Sequence, residues 1–518
     1  MEPTVENLKN NNPASVLSAQ SPKSEPCTVV IFGASGDLSK RKLIPALYNL
    51  ACENCEHGDF QVLGVGRTPV PDEDFRQQMH EAAKTAKDTR NYDEAKWQDF
   101  EKRLTYVVGD PNNDDMLDEL RDHLETMHEQ GASRNRIYYL SLPPSVTPSV
   151  VKGLGAAGLA DESKGYARVV IEKPFGRDLE SAKELNSVVA ESFKEDQVYR
   201  IDHYLGKETV QNILVFRFGN SLFEPIWNRN YIDYVEITAA EPLGIEGRAG
   251  YYEEAGALRD MVTNHLLQML MLVAMEPPVA FSADDVREEK VQVLRSIRRP
   301  TLEQINERTV RGQYATGIDN DSKVVGYRDE EGVKPGSKTE TYAAVQFNIE
   351  NWRWAGVPFY LRTGKRLPKQ LTEIRVHFKT TPLALFARAG TDLQEPNIIT
   401  LQIQPQEGIN ISFGAKIPGT EMRTGTVNMN FSYAAGFGVK SPAAYETLLL
   451  DVMQGDATLF TRRDEVESEW RLITPIEEAW AGGASPIQFY EAGTNGPEKS
   501  DELLKRNGHI WHNLTPEN

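Results

Sequence analysis

The chain has 518 residues, 40% hydrophobic and 26% charged, with a formal net charge of −19 and a pI near 5.1. That length exceeds what one hydrophobic core supports, so two domains are expected, and the negative charge argues against nucleic acid or an anionic membrane as partner. Three cysteines (Cys27, Cys52 and Cys55) exclude a disulfide framework and favour a reducing compartment.

Residues 1–26 are polar and rich in Asn, Ser and Pro, without the apolar stretch of a secretory signal, and read as a disordered tail on a cytoplasmic protein. From residue 28 to about 200, strand and helix patterns alternate. Strands are expected at 28–32, 61–66, 105–108, 136–142, 168–172 and 198–201, most of them apolar on both faces, as strands covered on both sides should be. A helix from 38 to about 53 and amphipathic runs at 72–86, 114–129 and 178–193 lie between them, so a doubly wound parallel sheet is expected. Cys52 and Cys55, at the end of the first of these helices, form a lone C-x-x-C with no second pair to complete a metal set, so no metal is expected.

After residue 206 the pattern changes. A long apolar helix, 258–274, precedes strand-like runs at 324–327, 341–349, 359–362, 373–378, 398–404 and 426–433, without regular crossover helices. The expected fold is therefore an α/β dinucleotide-binding, Rossmann-like N-terminal domain (27–204) plus an α+β C-terminal domain (205–518) with a large, mainly antiparallel sheet. No stretch reaches the roughly 18–20 apolar residues of a membrane span.

The first strand runs into Gly33, Ala34, Ser35, Gly36, Asp37 and Leu38, where a helix begins. Glycines at such a turn let the backbone approach a pyrophosphate resting on the helix N-terminus. Ser35 replaces the middle glycine of G-x-G-x-x-G, so the signal rests on its strand-turn-helix context; a tight turn without ligand is the alternative. The second strand ends in Arg67 rather than the acidic residue that would hold a ribose 2′-hydroxyl. A guanidinium suits a 2′-phosphate, which favours NADP over NAD, against the alternative of an ordinary surface arginine. Lys173, in Glu172-Lys173-Pro174, is held extended by the proline, as a ligand-facing or a solvated strand-end lysine.

Asp202, His203, Tyr204 and Lys207 fall within six consecutive positions, a mixture that suits a grip on an anionic, hydroxyl-rich ligand better than a core. Oxidising a hemiacetal hydroxyl also needs a base, and an imidazole titrates near neutrality. His265 shares an apolar stripe with Leu258, Met261, Val262 and Met269, which fits a core histidine; Arg259, Asp260 and Asn264 in the same segment fit a site.

These motifs, with Glu246-Gly247-Arg248-x-Gly250-Tyr251, Gly356-Val357-Pro358-Phe359 and Arg362-Thr363-Gly364-Lys365 in order, resemble the glucose-6-phosphate dehydrogenase family from about residue 28 to 475. The resemblance implies NADP-dependent oxidation of glucose 6-phosphate at C1 to 6-phosphogluconolactone, the first step of the oxidative pentose phosphate pathway. It implies His265 as general base and Asp202 as its orienting carboxylate. His203, Tyr204 and Lys207 would bind the phosphate, Glu241 and Asp260 the sugar hydroxyls, Lys173 both sugar and cofactor, and Lys365 the substrate. Tyr445 is a further candidate near the phosphate. A homodimer or homotetramer is implied as well.

Two departures stand out. Gln370 occupies a position where relatives carry a second cation, with Lys369 beside it, and Gln402 occupies one where some relatives bind a second, structural NADP; that extra site is not assigned. A glucose–fructose oxidoreductase type of enzyme and a catalytically silent NADP-binding regulator are the rival readings.

Overall fold

The computed structural model describes residues 24–52, 59–110, 113–319, 322–383, 385, 395–438 and 441–515. All but three residues of the expected 1–26 tail, and Cys55 of the C-x-x-C, lie outside them. The chain forms two compact units: one runs up to Lys173 and adds Ser187–Gly206 and Tyr433–Phe460, and the other comprises Pro174–Asn186, Lys207–Ser432 and Thr461 onward. Beside a cut after residue 204, these units exchange 174–186 and 433–460.

The first unit is built on parallel strands β1 (Cys27–Phe32), β2 (Phe60–Gly66), β3 (Leu104–Val108), β4 (Arg136–Leu140), β5 (Ala167–Ile171) and β6 (Val198–Ile201). Their order, β6-β5-β4-β1-β2-β3, is the doubly wound one, whose ligands sit at the carboxyl ends where strand order reverses, between β1 and β4. β1 and β4 are buried along their whole length, which explains their unbroken apolar runs. The helix Ala444–Gln454 reaches this unit from far along the sequence. Glu446 accepts from Asn49 at 3.1 Å and pairs with Arg90, while Arg168 donates to the carbonyls of Val452 and Met453 at 2.6 and 2.9 Å.

In the second unit β7 (Ile232–Ala240), β8 (Thr309–Ala315), β11 (Tyr342–Asn348), β12 (Pro358–Gly364), β13 (Leu371–Phe378), β14 (Ile398–Gln404), β15 (Gly408–Lys416), β16 (Thr424–Ser432) and β18 (Gln488–Glu491) form one sheet, ordered β16-β15-β14-β13-β7-β12-β11-β8-β18. Short β9 (Gly317–Asp319) and β10 (Ser322–Val324) make a separate hairpin, and β17 (Phe460–Thr461) lies at the β6 edge of the first sheet. The large sheet is mainly antiparallel, with β7–β12 and β8–β18 parallel. The strand expected at 324–327 is a correction: β10 ends at Val324, and Tyr327 opens a 3-10 turn because its buried ring packs inward and its hydroxyl donates to Glu253. No helix among the described residues is long and apolar enough to cross a membrane.

Candidate active site

In the first unit the glycine turn is tied to its neighbouring strand: Gly33 N–H donates to Val65 O at 2.9 Å, and Gly36 N–H returns to Gly33 O at 2.9 Å. Gly33 has φ +80°, and a Cβ there would lie 2.2 Å from Ser141 O, so only glycine fits. The next turn, Ser39–Leu43, winds as a π-helix before the α-helix Ile44–Cys52. Arg67 stands exposed just past β2, with no ion pair among the described residues, and Tyr106 OH fixes the chain beside it by donating to Thr68 O at 3.0 Å. A close-approach glycine, a helix start and an available guanidinium fit a dinucleotide carrying a 2′-phosphate.

At the end of β5, Glu172 and Lys173 are partly buried. Glu172 accepts from Tyr139 OH at 2.6 Å and is also hydrogen-bonded to Tyr445; burial raises its pKa, against the pull of the phenols and Lys173. At the end of β6, Asp202 is 3% exposed and accepts from Tyr204 N–H at 2.9 Å. His203 lies parallel to the Tyr445 ring, 6.2 Å between centroids and 11° between planes, and edge-on to Tyr204 at 5.1 Å. Tyr204 itself is buried.

In the second unit Gly256, with φ +62° and ψ 178°, breaks the helix Ala249–Ala257. A Cβ on it would meet the Glu340 carboxylate at 2.4 Å, and that carboxylate accepts the Leu258 N–H at 3.0 Å. From there Leu258–Leu266 winds as a π-helix, continued by the α-helix Leu267–Ala274. Thr263 Oγ1 and Asn264 Nδ2 donate to the carbonyls five residues back, Leu258 and Arg259. In an α-helix residues five apart are rotated by about 140°; π-winding sets Asp260 and His265 one turn apart. His265 is 1% exposed, and Asp260 accepts from Tyr251 OH at 2.9 Å.

Lys365, just past β12, donates to Glu241 at 2.7 Å, just past β7, and its ammonium lies 5.2 Å from the Tyr252 ring centroid. Their strands are neighbours in parallel register, Gly364 opposite Ala240, which brings the pair together. Lys207 donates to Gln404 Oε1 at the end of β14. Gln370 is exposed and Lys369 half-buried. The structure thus joins Lys365 with Glu241 in one unit and gathers the Glu172, Asp202 and His203 segments in the other. Sequence reading passed over Tyr139, Tyr251, Tyr252 and Gln404; of these only Tyr251 lay in a quoted motif.

Residues 30–212 match the family profile "Glucose-6-phosphate dehydrogenase, NAD binding domain", and residues 214–512 match "Glucose-6-phosphate dehydrogenase, C-terminal domain". The chain is 48% identical over 493 residues to a glucose-6-phosphate 1-dehydrogenase of Aggregatibacter actinomycetemcomitans, covering 94% of this chain and 98% of that one. Identity to the Treponema pallidum enzyme is 46% over 492 residues, covering 94% and 95%. Among solved structures, a glucose-6-phosphate dehydrogenase in complex with its substrate glucose-6-phosphate superposes with a TM-score of 0.86 at 36% identity, covering 95% of this chain and 99% of that one. Glucose-6-phosphate 1-dehydrogenase from Mycobacterium avium gives 0.79 at 35%, covering 94% and 99%.

Proposed function

This chain belongs to the glucose-6-phosphate dehydrogenase family, and from that premise we propose which of its residues do what. The enzyme oxidises D-glucose 6-phosphate at C1 to 6-phospho-D-glucono-1,5-lactone, with NADP as cofactor. The observation that carries the assignment of roles is the run Asp202–Lys207, which follows β6 directly and collects a carboxylate, an imidazole, a phenol and an ammonium in a chain of net charge −19.

When bound, the nicotinamide supplies the acceptor for the C1 hydride. His265 takes the proton of the C1 hydroxyl, and Asp202 is the carboxylate that selects its tautomer. His203, Tyr204 and Lys207 hold the phosphate, and Glu241, Asp260 and Lys365 place the sugar. Lys173 serves sugar and cofactor. Gly33, Ala34, Ser35, Gly36, Asp37 and Leu38 cradle the pyrophosphate, and Arg67 takes the 2′-phosphate. Residues 27–204 form the NADP-binding domain and 205–518 the substrate domain. The protein works in the cytoplasm as a homodimer or homotetramer; exposed Val427, Met429 and Phe431, alternating along β16, support an association face.

NADPH absorbance at 340 nm tests the reading. Glucose 6-phosphate should exceed free glucose by at least about 10³-fold in kcat/KM, since each charge-assisted phosphate contact contributes roughly 1.5–3 kcal/mol. His265→Asn should leave substrate binding nearly intact and lower kcat by roughly 10²–10⁴-fold. Equal use of both sugars favours the oxidoreductase of free sugars, and a near-normal kcat returns His265 to the core.

A further inference from the structure

We propose that Glu172 is a positioning residue for the phosphate end of the site, holding the Tyr445 ring against His203 by accepting the phenolic hydrogens of both Tyr139 and Tyr445. The inference rests on the reading that His203 belongs to the phosphate grip. A phenol has one O–H to give. Tyr139 gives its hydrogen to Glu172 Oε1 at 2.6 Å, and the Tyr445 hydroxyl is bonded to the same carboxylate. With that hydrogen committed, the Tyr445 oxygen has only lone pairs left, which repel a phosphate oxygen instead of binding it. Tyr445 then acts through its ring.

Its placement is over-determined. The helix Ala444–Gln454 is tied down near its start by Glu446 to Asn49 and Arg90, and at its end by Arg168 to two carbonyls. Tyr445 therefore has little freedom except rotation of its own side chain, and Glu172 removes that. His203 in turn has the Tyr445 ring parallel to it and the Tyr204 ring edge-on to it. An imidazole confined this way keeps its donor aimed in one direction, and a pre-placed donor avoids the entropy of ordering on binding. The tyrosine that would pass for a phosphate donor is thus a wall, and the carboxylate of Glu172-Lys173-Pro174 fixes the wall in place.

The test is steady-state kinetics on Glu172→Gln, Tyr445→Phe and Tyr445→Ala, with glucose 6-phosphate, free glucose and NADP varied in turn. A glutamine of the same shape has one carbonyl oxygen, so one of the two phenols loses its acceptor. Glu172→Gln should raise KM for glucose 6-phosphate about two- to threefold, by the same loss of tether as in Tyr445→Phe, and leave KM for NADP unchanged. The preference for glucose 6-phosphate over glucose should fall by the same factor. Tyr445→Phe, which keeps the ring and loses only its tether, should raise that KM about two- to threefold, and Tyr445→Ala by tenfold or more. A Tyr445→Phe effect as large as that of Tyr445→Ala would place the hydroxyl on the phosphate and overturn the proposal. So would a Glu172→Gln enzyme with lowered Tm and unchanged KM, the mark of a merely structural role. Should Glu172→Gln fail to fold, Tyr445→Phe reads the same tether from its other end, and an unchanged KM for glucose 6-phosphate there overturns the proposal. A wild-type enzyme without preference for glucose 6-phosphate instead removes the functional reading on which this one stands.

Discussion

Two cations proposed as ligand contacts, one in each unit, stand in opposite settings. Lys365 is nearly buried and already paired with Glu241, whereas Arg67 is exposed and has no ion pair among the described residues. An arginine held ready in this way loses little when a 2′-phosphate arrives, and its planar fork matches phosphate geometry. Arg67→Ala should raise KM for NADP on the order of 10–100-fold, the value of one charge-assisted contact of about 1.5–3 kcal/mol, and leave KM for NAD almost unchanged. Equal losses with both cofactors would show that Arg67 supports the β2 turn and nothing else. The strand end, turn and helix start around Gly33–Leu38, and the strand end before Arg67, were legible in the sequence because such structure is local, set within a few residues. Gln404 was not, because its partner Lys207 lies 197 residues away, and Tyr139 meets Glu172 across 33. Only the strand order makes such pairs.

At the scale of elements, the helix that carries His265 shows what hydrophobic periodicity reveals and hides. The apolar stripe announced a buried helix over 258–274, and a helix is there. The stripe does not distinguish α from π winding, because the widened turn is set by Gly256 and by the Glu340 carboxylate, 82 residues from the N–H it accepts. The parallel pairing of β7 with β12 escaped the reading for a similar reason: strand direction in a sheet depends on the whole crossover between them, not on either strand. Glu340 is therefore an element-level determinant of the turn that carries Asp260 and His265. Glu340→Ala leaves the Leu258 N–H without its acceptor, which should cost ~1–3 kcal/mol of stability in urea unfolding and lower kcat together with it. Glu340→Gln, which keeps an acceptor oxygen, should restore most of both. A stable Glu340→Ala enzyme with full kcat would separate the π-helical turn from catalysis.

Over the whole molecule, stability and charge are coupled through the half-buried carboxyl of Asp451. Asp451 lies near the C-terminal end of the helix Ala444–Gln454, where burial first and the neighbouring Asp456 second push its pKa up to about 8. The negative end of the helix dipole acts in the same direction. In the unfolded chain an aspartate titrates near 3.9. Between roughly pH 4 and 8 the folded protein thus keeps a proton that the unfolded chain has released, and stability from this group is full below pH 4 and lost as pH rises towards 8. The net charge of −19 adds self-repulsion that also grows with pH, but salt screens that part and not the desolvation of the half-buried Asp451 carboxyl. In about 0.5 M salt, where the Debye length is only a few ångströms, wild-type Tm should still decline from pH 5 to pH 8. Asp451→Asn carries no proton to lose, so it should gain about 1–3 °C over wild type at pH 8, with the gain shrinking towards pH 5. A gain of the same size at both pH values would assign the effect to packing, and no gain at pH 8 would mean that the folded protein accommodates the charge at Asp451 without cost.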